Sequence, residues 1–172
     1  MTIKAIMAVD EDGGIGKKGT LPWPKFREDF EHFKVNTMGM AVLMGSSTWN
    51  SEGMPKPLPN RVNCVASRNP DSFMLENAHR IIRGPELAKE TVKLYEDLNK
   101  TTSLDLFIIG GSKIIEQCWD IISEWLITRI PGKFDCDTFL DITKLENDYK
   151  LHESWKGKKE PLLFQHYLRK VQ

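Results

Sequence analysis

The sequence predicts an α/β fold with a mainly parallel central sheet covered by helices on both faces, and three observations carry that expectation. Short apolar runs rich in Val, Ile, Leu or Met recur along the chain, closed by Gly, Ser, Asn or acidic residues. Between them, apolar residues return every three or four positions, which is the helical period. Strand and helix therefore alternate, and parallel strands need crossover connections of that kind. At 172 residues the chain is long enough to bury one sizeable core without staples. A single domain spanning 1–172 is expected, since no repeat, low-complexity tract or linker divides it.

Taken in order, Ile3 to Val9 reads as a buried strand, and Asp10-Glu11-Asp12-Gly13-Gly14 as the flexible loop that ends it. Phe26, Asp29, Phe30 and Phe33 share one face of a helix. Met40 to Met44, Val62 to Ala66 and Leu104 to Ile109 read as central strands. A helix follows Gly84-Pro85 through Leu87, Thr91, Leu94, Tyr95 and Leu98, and another carries Ile114, Ile115, Cys118, Trp119 and Ile122. Trp125 to Ile130 and Leu162 to Arg169 complete the strands, with a turn around Gly157 before the last. Lys144 to Lys159 is too mixed in character to assign. In such a sheet, ligands bind beyond the carboxyl ends of the strands.

Lys plus Arg equals Asp plus Glu at 24 each, and no basic block stands out, which argues against nucleic acid as a partner. Cys64, Cys118 and Cys136 are odd in number and far apart, with no CxxC pair and no His at ligand spacing. Reduced thiols, no metal site and a cytoplasmic setting follow as expectations. The opening apolar stretch is too short for a secretory leader, and no run of about eighteen apolar residues suggests a membrane span.

Asp29 is the most informative anomaly, because it places an acid on the apolar face set by Phe26, Phe30 and Phe33. Desolvating a carboxylate costs several kcal/mol, so this one meets a fixed donor, waits for a ligand that brings donors, or reaches water from the edge of the stripe. Just upstream, Leu21-Pro22-Trp23 lies in a loop punctuated by Gly16 and Gly19. It reads either as an apolar lid beside the acid or as a loop whose Trp23 plugs the core.

Two strand-to-helix turns suit phosphate: Met44-Gly45-Ser46-Ser47-Thr48-Trp49 and Ile109-Gly110-Gly111-Ser112-Lys113. Glycine lets backbone approach a ligand closely, and the following helix offers N–H groups at its positive end. Neither turn matches GxGxxG or a P-loop, so each reads equally as a packing turn, and their pairing favours phosphate. A third, Ala66-Ser67-Arg68-Asn69-Pro70, offers Ser and Arg to a phosphomonoester or leaves Arg68 as a surface cation. Arg61, after Pro57-Leu58-Pro59-Asn60, is either a carboxylate clamp or an exposed strand-end cation.

The ordered set Ile6-Met7-Ala8-Val9-Asp10, Gly14-Ile15-Gly16, Leu21-Pro22-Trp23, Asp29-Phe30 with Phe33-Lys34, Met44-Gly45 with Thr48-Trp49, Pro57-Leu58-Pro59-Asn60-Arg61 and Ile109-Gly110-Gly111 resembles dihydrofolate reductase. That resemblance implies a single domain with an eight-stranded, mostly parallel but mixed sheet, NADPH as cofactor and dihydrofolate as substrate. It also implies a monomer that binds antifolates. Under it, Asp29 hydrogen-bonds the amidine-like edge of the pterin and supports protonation of N5, with Thr128 backing that contact. Phe30, Phe33 and Leu58 pack on the substrate, and Arg61 holds its glutamate carboxylate. Ile6 and Ile109 offer carbonyls, Ala8 contacts the nicotinamide amide, and Leu21 and Trp23 belong to the lid. Ile15, Gly45, Ser46, Ser47, Thr48, Gly110, Gly111, Ser112, Lys113 and Ile114 line the cofactor, with Ser67 and Arg68 at the adenosine 2′-phosphate.

The chain departs from the family pattern at Ser46-Ser47, where cations often stand, and at Glu52, where an apolar residue is usual. Met54-Pro55-Lys56 lengthens the next turn, Ile115 replaces a frequent aromatic, and the stretch from Asp137 to Asp141 lacks a proline. Two other functions stay open at this stage: a pyrimidine reductase of the riboflavin-biosynthesis type, and a non-catalytic nucleotide-binding protein on the same fold.

Overall fold

The computed structural model describes residues 2–69, 71 and 75–171. Pro70, which closes the third turn above, lies outside them. The elements in chain order are β1 (Ile3–Val9), β2 (Gly14–Gly16), α1 (Arg27–Thr37), β3 (Ala41–Gly45), α2 (Ser46–Trp49), β4 (Val62–Ala66), β5 (Arg80–Ile82) and α3 (Leu87–Leu98). They continue with β6 (Leu106–Gly110), α4 (Ser112–Cys118), β7 (Glu124–Arg129), β8 (Thr138–Phe139), α5 (Ile142–Asp148), β9 (Tyr149–Lys156) and β10 (Leu163–Arg169).

Eight strands form one sheet in the order β5-β4-β3-β6-β1-β7-β10-β9, while β2 and β8 make a separate two-stranded ribbon. The mixed, mostly parallel sheet expected from the sequence is therefore present. By density of contacts the chain divides into two compact units, each built from two separated stretches. One comprises the residues up to Ala5 with Thr37–Ile122, and the other Ile6–Asn36 with the residues from Ser123 onward.

The first unit is a parallel α/β layer. β3 pairs with β4 and β6, β4 with β5, and β6 with the start of β1, all in parallel. Strands covered on both faces can be apolar throughout, which is why β3 is buried at Ala41, Val42, Leu43 and Met44. Leu43, Met44, Leu106 and Ile108 are fully enclosed, and each such side chain contributes roughly 1.5–3 kcal/mol by leaving water. α3 covers the layer with Leu87, Thr91 and Leu94, the i, i+4, i+7 stripe the sequence sets. Asn63, fully buried, exchanges hydrogen bonds with Leu58 in both directions (2.9 and 3.0 Å) and so pins the Pro57-Leu58-Pro59 loop.

The second unit is antiparallel: β10 pairs with β7 on one side and β9 on the other. Trp125, Ile127, Ile130, Tyr149 and Leu145 are enclosed in it. The unassigned stretch Lys144 to Lys159 resolves into the end of α5 and the whole of β9. β9 is buried only at Tyr149, so it carries no apolar alternation for a sequence reading to find. α4 is shorter than its apolar spacing suggests, because Trp119–Ile121 tightens into a 3-10 turn after Cys118.

Candidate active site

Asp29 lies in the first turn of α1, where acidic side chains complement the positive end of the helix dipole. The stripe that holds it is not a core face. Phe26, Asp29 and Phe33 are half-buried and Phe30 is 46% exposed, leaving Thr37 as the one buried residue of the helix. Phe26, just before the helix, packs on the cluster of Ala8, Trp23, Ile130, Leu162 and Phe164, while Phe30 stays largely exposed beside the acid.

The carboxylate itself takes a hydrogen bond from the Thr128 side chain, and Thr128 is enclosed in β7 opposite Phe164 of β10. Burial raises the Asp29 pKa above the ordinary carboxylate value; the Thr128 bond opposes the rise and the negative charge of Glu160 adds to it. Among the described residues no cation pairs with Asp29. Of the readings the sequence left open, the fixed donor is present in Thr128, and one neutral hydroxyl leaves the carboxylate with capacity for further donors.

Ile6 and Ala8 are buried in β1, and Ala8 packs in one cluster with Trp23, Ile130, Leu162 and Phe164. Trp23 thus plugs the core, edge-on to Phe134 at 5.8 Å, whereas Leu21 two residues earlier is 49% exposed. The Leu21-Pro22-Trp23 segment is therefore anchored at its tryptophan and open at its leucine. Upstream, Ile15 sits half-buried in β2. The Asp10 carboxylate holds this loop at its base. Oδ1 accepts from the N–H groups of Asp12 (2.9 Å) and Gly14 (2.8 Å), and Oδ2 from Phe134 N–H (3.0 Å) and the Cys136 thiol (3.5 Å). Asp137 ties the loop again, accepting from Lys18 N–H at 2.8 Å while its own N–H donates to the Gly16 carbonyl at 3.1 Å.

In the other unit, the two glycine turns come together. A Cβ added to Gly45 would sit 3.2 Å from Ile114 Cδ1 and 3.8 Å from Gly111 N, and one added to Gly110 would sit 3.4 Å from Thr48 Oγ1. Gly110 also has φ +133°, a conformation that L side chains rarely adopt. Neither α2 nor α4 has a side-chain cap: Gly45 and Gly111 occupy the N-cap positions without one, in contrast to α5, whose Asp141 accepts from Lys144 N–H. The first N–H groups of Ser46, Ser47, Ser112 and Lys113 therefore lack the side-chain oxygen that usually satisfies a helix start. Ser47 and Lys113 are exposed, while Ser46, Thr48 and Ser112 are half-buried.

A feature absent from the sequence reading stands beside this cradle. Leu43 of β3 faces Ile108 of β6 and Met44 faces Gly110, so Ile109 is the extra residue of a β-bulge. Ile109 therefore has no Cα partner on β3. The irregularity falls at the residue whose carbonyl the resemblance assigns to a ligand.

Arg68 is exposed and lines an open depression with Arg83, Gly84 and Pro85. Arg83 is a second guanidinium that the sequence reading missed, because fifteen residues separate it from Arg68 and only the parallel pairing of β4 with β5 brings the two strand ends together. Ser67 Oγ is engaged locally, donating to the Asn69 carbonyl and accepting from Asn69 N–H, both at 3.1 Å. Arg61 is buried; its Nε donates to Thr37 Oγ1 (3.2 Å) and its Nη1 to the Pro59 carbonyl (2.7 Å). It is thus a fixed, desolvated guanidinium and not a loose surface cation. Leu58 is buried beside it in sequence, and Glu52 is exposed.

The chain matches the sequence model of the family described as Dihydrofolate reductase over residues 2–169. Curated relatives include the viral dihydrofolate reductase of Saimiriine herpesvirus 2 (strain 488), 34% identical over 166 residues, covering 91% of this chain and 76% of the relative. The dihydrofolate reductase of Rattus norvegicus is 31% identical over 166 residues, covering 90% of this chain and 86% of its own. A solved structure of dihydrofolate reductase from Enterococcus faecalis complexed with NADP(H) and RAB-propyl matches with TM-score 0.80 and 26% identity, covering 99% of this chain and 97% of that one.

Proposed function

Given that this chain belongs to the dihydrofolate reductase family, we propose that it carries out the NADPH-dependent reduction of dihydrofolate with Asp29 as its working acid. The observation that carries this assignment of Asp29 is a half-buried carboxylate bonded by the neutral Thr128, raised in pKa, and paired with no cation among the described residues. Such a group costs stability unless a ligand supplies donors, and the amidine-like edge of a pterin supplies two.

Asp29 accepts those two hydrogen bonds and so orients the ring. Burial favours its protonated form over that of an ordinary carboxylate, the direction that supporting the proton at substrate N5 requires. Thr128 fixes the carboxylate's rotation. Phe30 and Phe33 stack on the substrate rings and exclude water from the acid. Arg61, preset by Thr37 and Pro59, meets the glutamate carboxylate, and Leu58 the benzoyl group. Ile6 and Ile109 present backbone carbonyls, and Ala8 contacts the nicotinamide amide.

NADPH, when bound, supplies the hydride that passes to substrate C6. The residues present fit it. Gly45, Gly110 and Gly111 leave the room that a Cβ would fill, and two uncapped helix starts offer N–H groups to the pyrophosphate. Thr48 and Ser112 line the same cradle, Ile15 and Ile114 flank the cofactor, and Arg68 with Arg83 takes the 2′-phosphate beside Ser67. Leu21 closes the lid, held from below by Trp23.

Mixing the purified protein with NADPH and dihydrofolate and following reduced-nicotinamide absorbance tests the assignment. Turnover that Asp29→Asn abolishes supports it, and turnover that survives in that variant removes Asp29 from the role. The pyrimidine-reductase and non-catalytic readings are not favoured by a family match that runs from residue 2 to 169. We also read the protein as a cytoplasmic monomer that binds antifolates and neither nucleic acid nor membrane. The balanced charge supports the reading on nucleic acid, and among the described residues no helix is long and apolar enough to cross a bilayer. Light scattering of the purified chain checks the oligomeric state.

A further inference from the structure

The start of α1 is held by two carboxylates that exchange backbone donors across the turn joining β9 to β10. Glu28 accepts from the N–H groups of Lys158 (2.7 Å), Lys159 and Glu160 (2.7 Å). Glu160 returns the arrangement, accepting from Arg27 N–H (2.9 Å) and Glu28 N–H (2.7 Å). Five charge-assisted bonds thus join two segments more than one hundred and thirty residues apart at their widest. Glu160 acts as an N-cap donated from another element, satisfying two of the N–H groups that open the helix, while residues 21–26 just before it offer no Ser, Thr, Asp or Asn to do so.

The turn is built for this. Gly157 N–H donates to the Leu162 carbonyl at 2.8 Å, and Leu162 N–H to the Glu160 carbonyl at 2.8 Å. A Cβ at Gly157 would lie 2.4 Å from the Glu160 carbonyl oxygen and 3.3 Å from Glu28 Oε2, so only glycine lets the turn close against the helix. Asp29 is the residue immediately after Glu28, in the turn of helix that this clasp fixes.

We infer that the Glu28–Glu160 clasp positions Asp29, and that Glu160, though it touches no reacting atom, is a positioning residue for the working acid. The inference rests on the assignment of Asp29 proposed above. Its geometric part is the reciprocal clasp. Its electrostatic part is that a fixed negative charge at the helix start raises the proton affinity of Asp29, in the same direction as burial.

On α1 itself the other charged and titratable groups are Arg27, Glu28, Glu31, His32 and Lys34, with His32 pushed toward its neutral form by burial. From the β9–β10 turn come Lys158, Lys159 and Glu160, and from β7 the neutral Thr128 hydroxyl. Lys158 lies near Glu28 and holds its pKa down together with the backbone bonds.

The test uses the full chain with a ¹³C label in the aspartate carboxyls and reads the Asp29 titration directly by NMR, so it does not depend on turnover. In Glu160→Gln, whose amide oxygen still accepts an N–H, the Asp29 midpoint falls. In Glu160→Asp, which keeps the charge, it stays within reach of the parent. In steady state, Glu160→Gln loses roughly two- to five-fold in kcat/KM on the alkaline side of the profile, as expected of a partly exposed charge interaction, and little on the acid side. NADPH affinity is unchanged. An Asp29 titration in Glu160→Gln that overlays the parent overturns the inference, as does a loss of activity equal at every pH. If the Gln variant does not fold, ionic strength serves in the parent: salt screens Glu160 and lowers the Asp29 midpoint, and a midpoint indifferent to salt overturns the inference. An active parent with an inactive Asp29→Asn and an unmoved Asp29 titration defeats this inference alone, whereas an active Asp29→Asn defeats the assignment beneath it.

Discussion

The Thr128 side chain, enclosed in β7, hydrogen-bonds Asp29 of α1, and this is the interaction that restrains the rise in proton affinity imposed by burial. A hydroxyl that donates to a carboxylate stabilises its ionised form. Thr128→Val keeps the shape and removes that donor, so the Asp29 pKa rises further. The alkaline limb of kcat/KM against pH should move to higher pH, with turnover at acid pH little changed. A limb that moves to lower pH would contradict the bond's assigned sense.

Asp29 should also be a liability to the empty fold. Its folded-state pKa is raised above the unfolded value, so the native state holds its proton longer, and stability is lost as pH climbs from the ordinary carboxylate range through the folded pKa. Asp29→Asn should therefore melt a few degrees higher than the parent near neutrality, the scale on which about 1 kcal/mol moves Tm in a domain of this length. The advantage should vanish in acid, while turnover falls by roughly 10²–10⁴-fold. Calorimetry at two pH values, with an activity assay alongside, checks both.

Asp10 has the opposite sign. Burial pushes its pKa up, but N–H groups of Phe134, Gly14 and Asp12 and the Cys136 thiol outweigh that and leave it below the usual carboxylate value. Its contribution is present above the unfolded pKa and is lost as pH falls through the folded one. Asp10→Ala should cost about 2–3 kcal/mol at neutral pH, because buried N–H groups lose a charged acceptor. Denaturant titration at neutral and acid pH should show the gap between variant and parent narrowing in acid.

Arg68→Ala and Arg83→Ala should each weaken NADPH by roughly ten- to hundred-fold, the scale of a lost charge-assisted hydrogen bond. NADH, lacking the 2′-phosphate, should be unaffected. Fluorescence titration with both nucleotides separates the two outcomes, and equal losses for NADH would place the arginines elsewhere.

Gly110→Ala places a Cβ on a backbone with φ +133° and 3.4 Å from Thr48 Oγ1. It should cost about 1–3 kcal/mol in stability and lower NADPH affinity together. Unfolding curves and cofactor titration on the same preparation measure the pair.

Most of the parallel half was legible because β3, β4 and β6 are buried on both faces and so read as unbroken apolar runs. Asp29 was legible for the converse reason, as the one charge in a phenylalanine stripe. What stayed hidden depends on partners distant in sequence. β9 looks polar because seven of its eight residues face solvent, and β5 is too short to show a period. The bulge at Ile109 is a register between two strands, and no single strand announces it. Arg83 and Glu160 act at their sites only after pairing or turning brings them there, and each alone looks like an ordinary surface charge. Trp23 pointed both to a lid and to a plug, and its packing against Ala8 and Phe164 shows it to be the anchor from which Leu21 extends.

β9 is the outermost strand on its side of the sheet, so one row of its backbone N–H and C=O groups has no strand to pair with. Left flat and apolar, such a margin would recruit strands from other molecules. Here Lys150, His152, Glu153 and Lys156 punctuate it, and the register slips between His166 and Tyr167 of β10 beneath it. Replacing those polar side chains with Val or Ile would leave the chain's interior untouched and make concentrated solutions prone to fibre-like self-association.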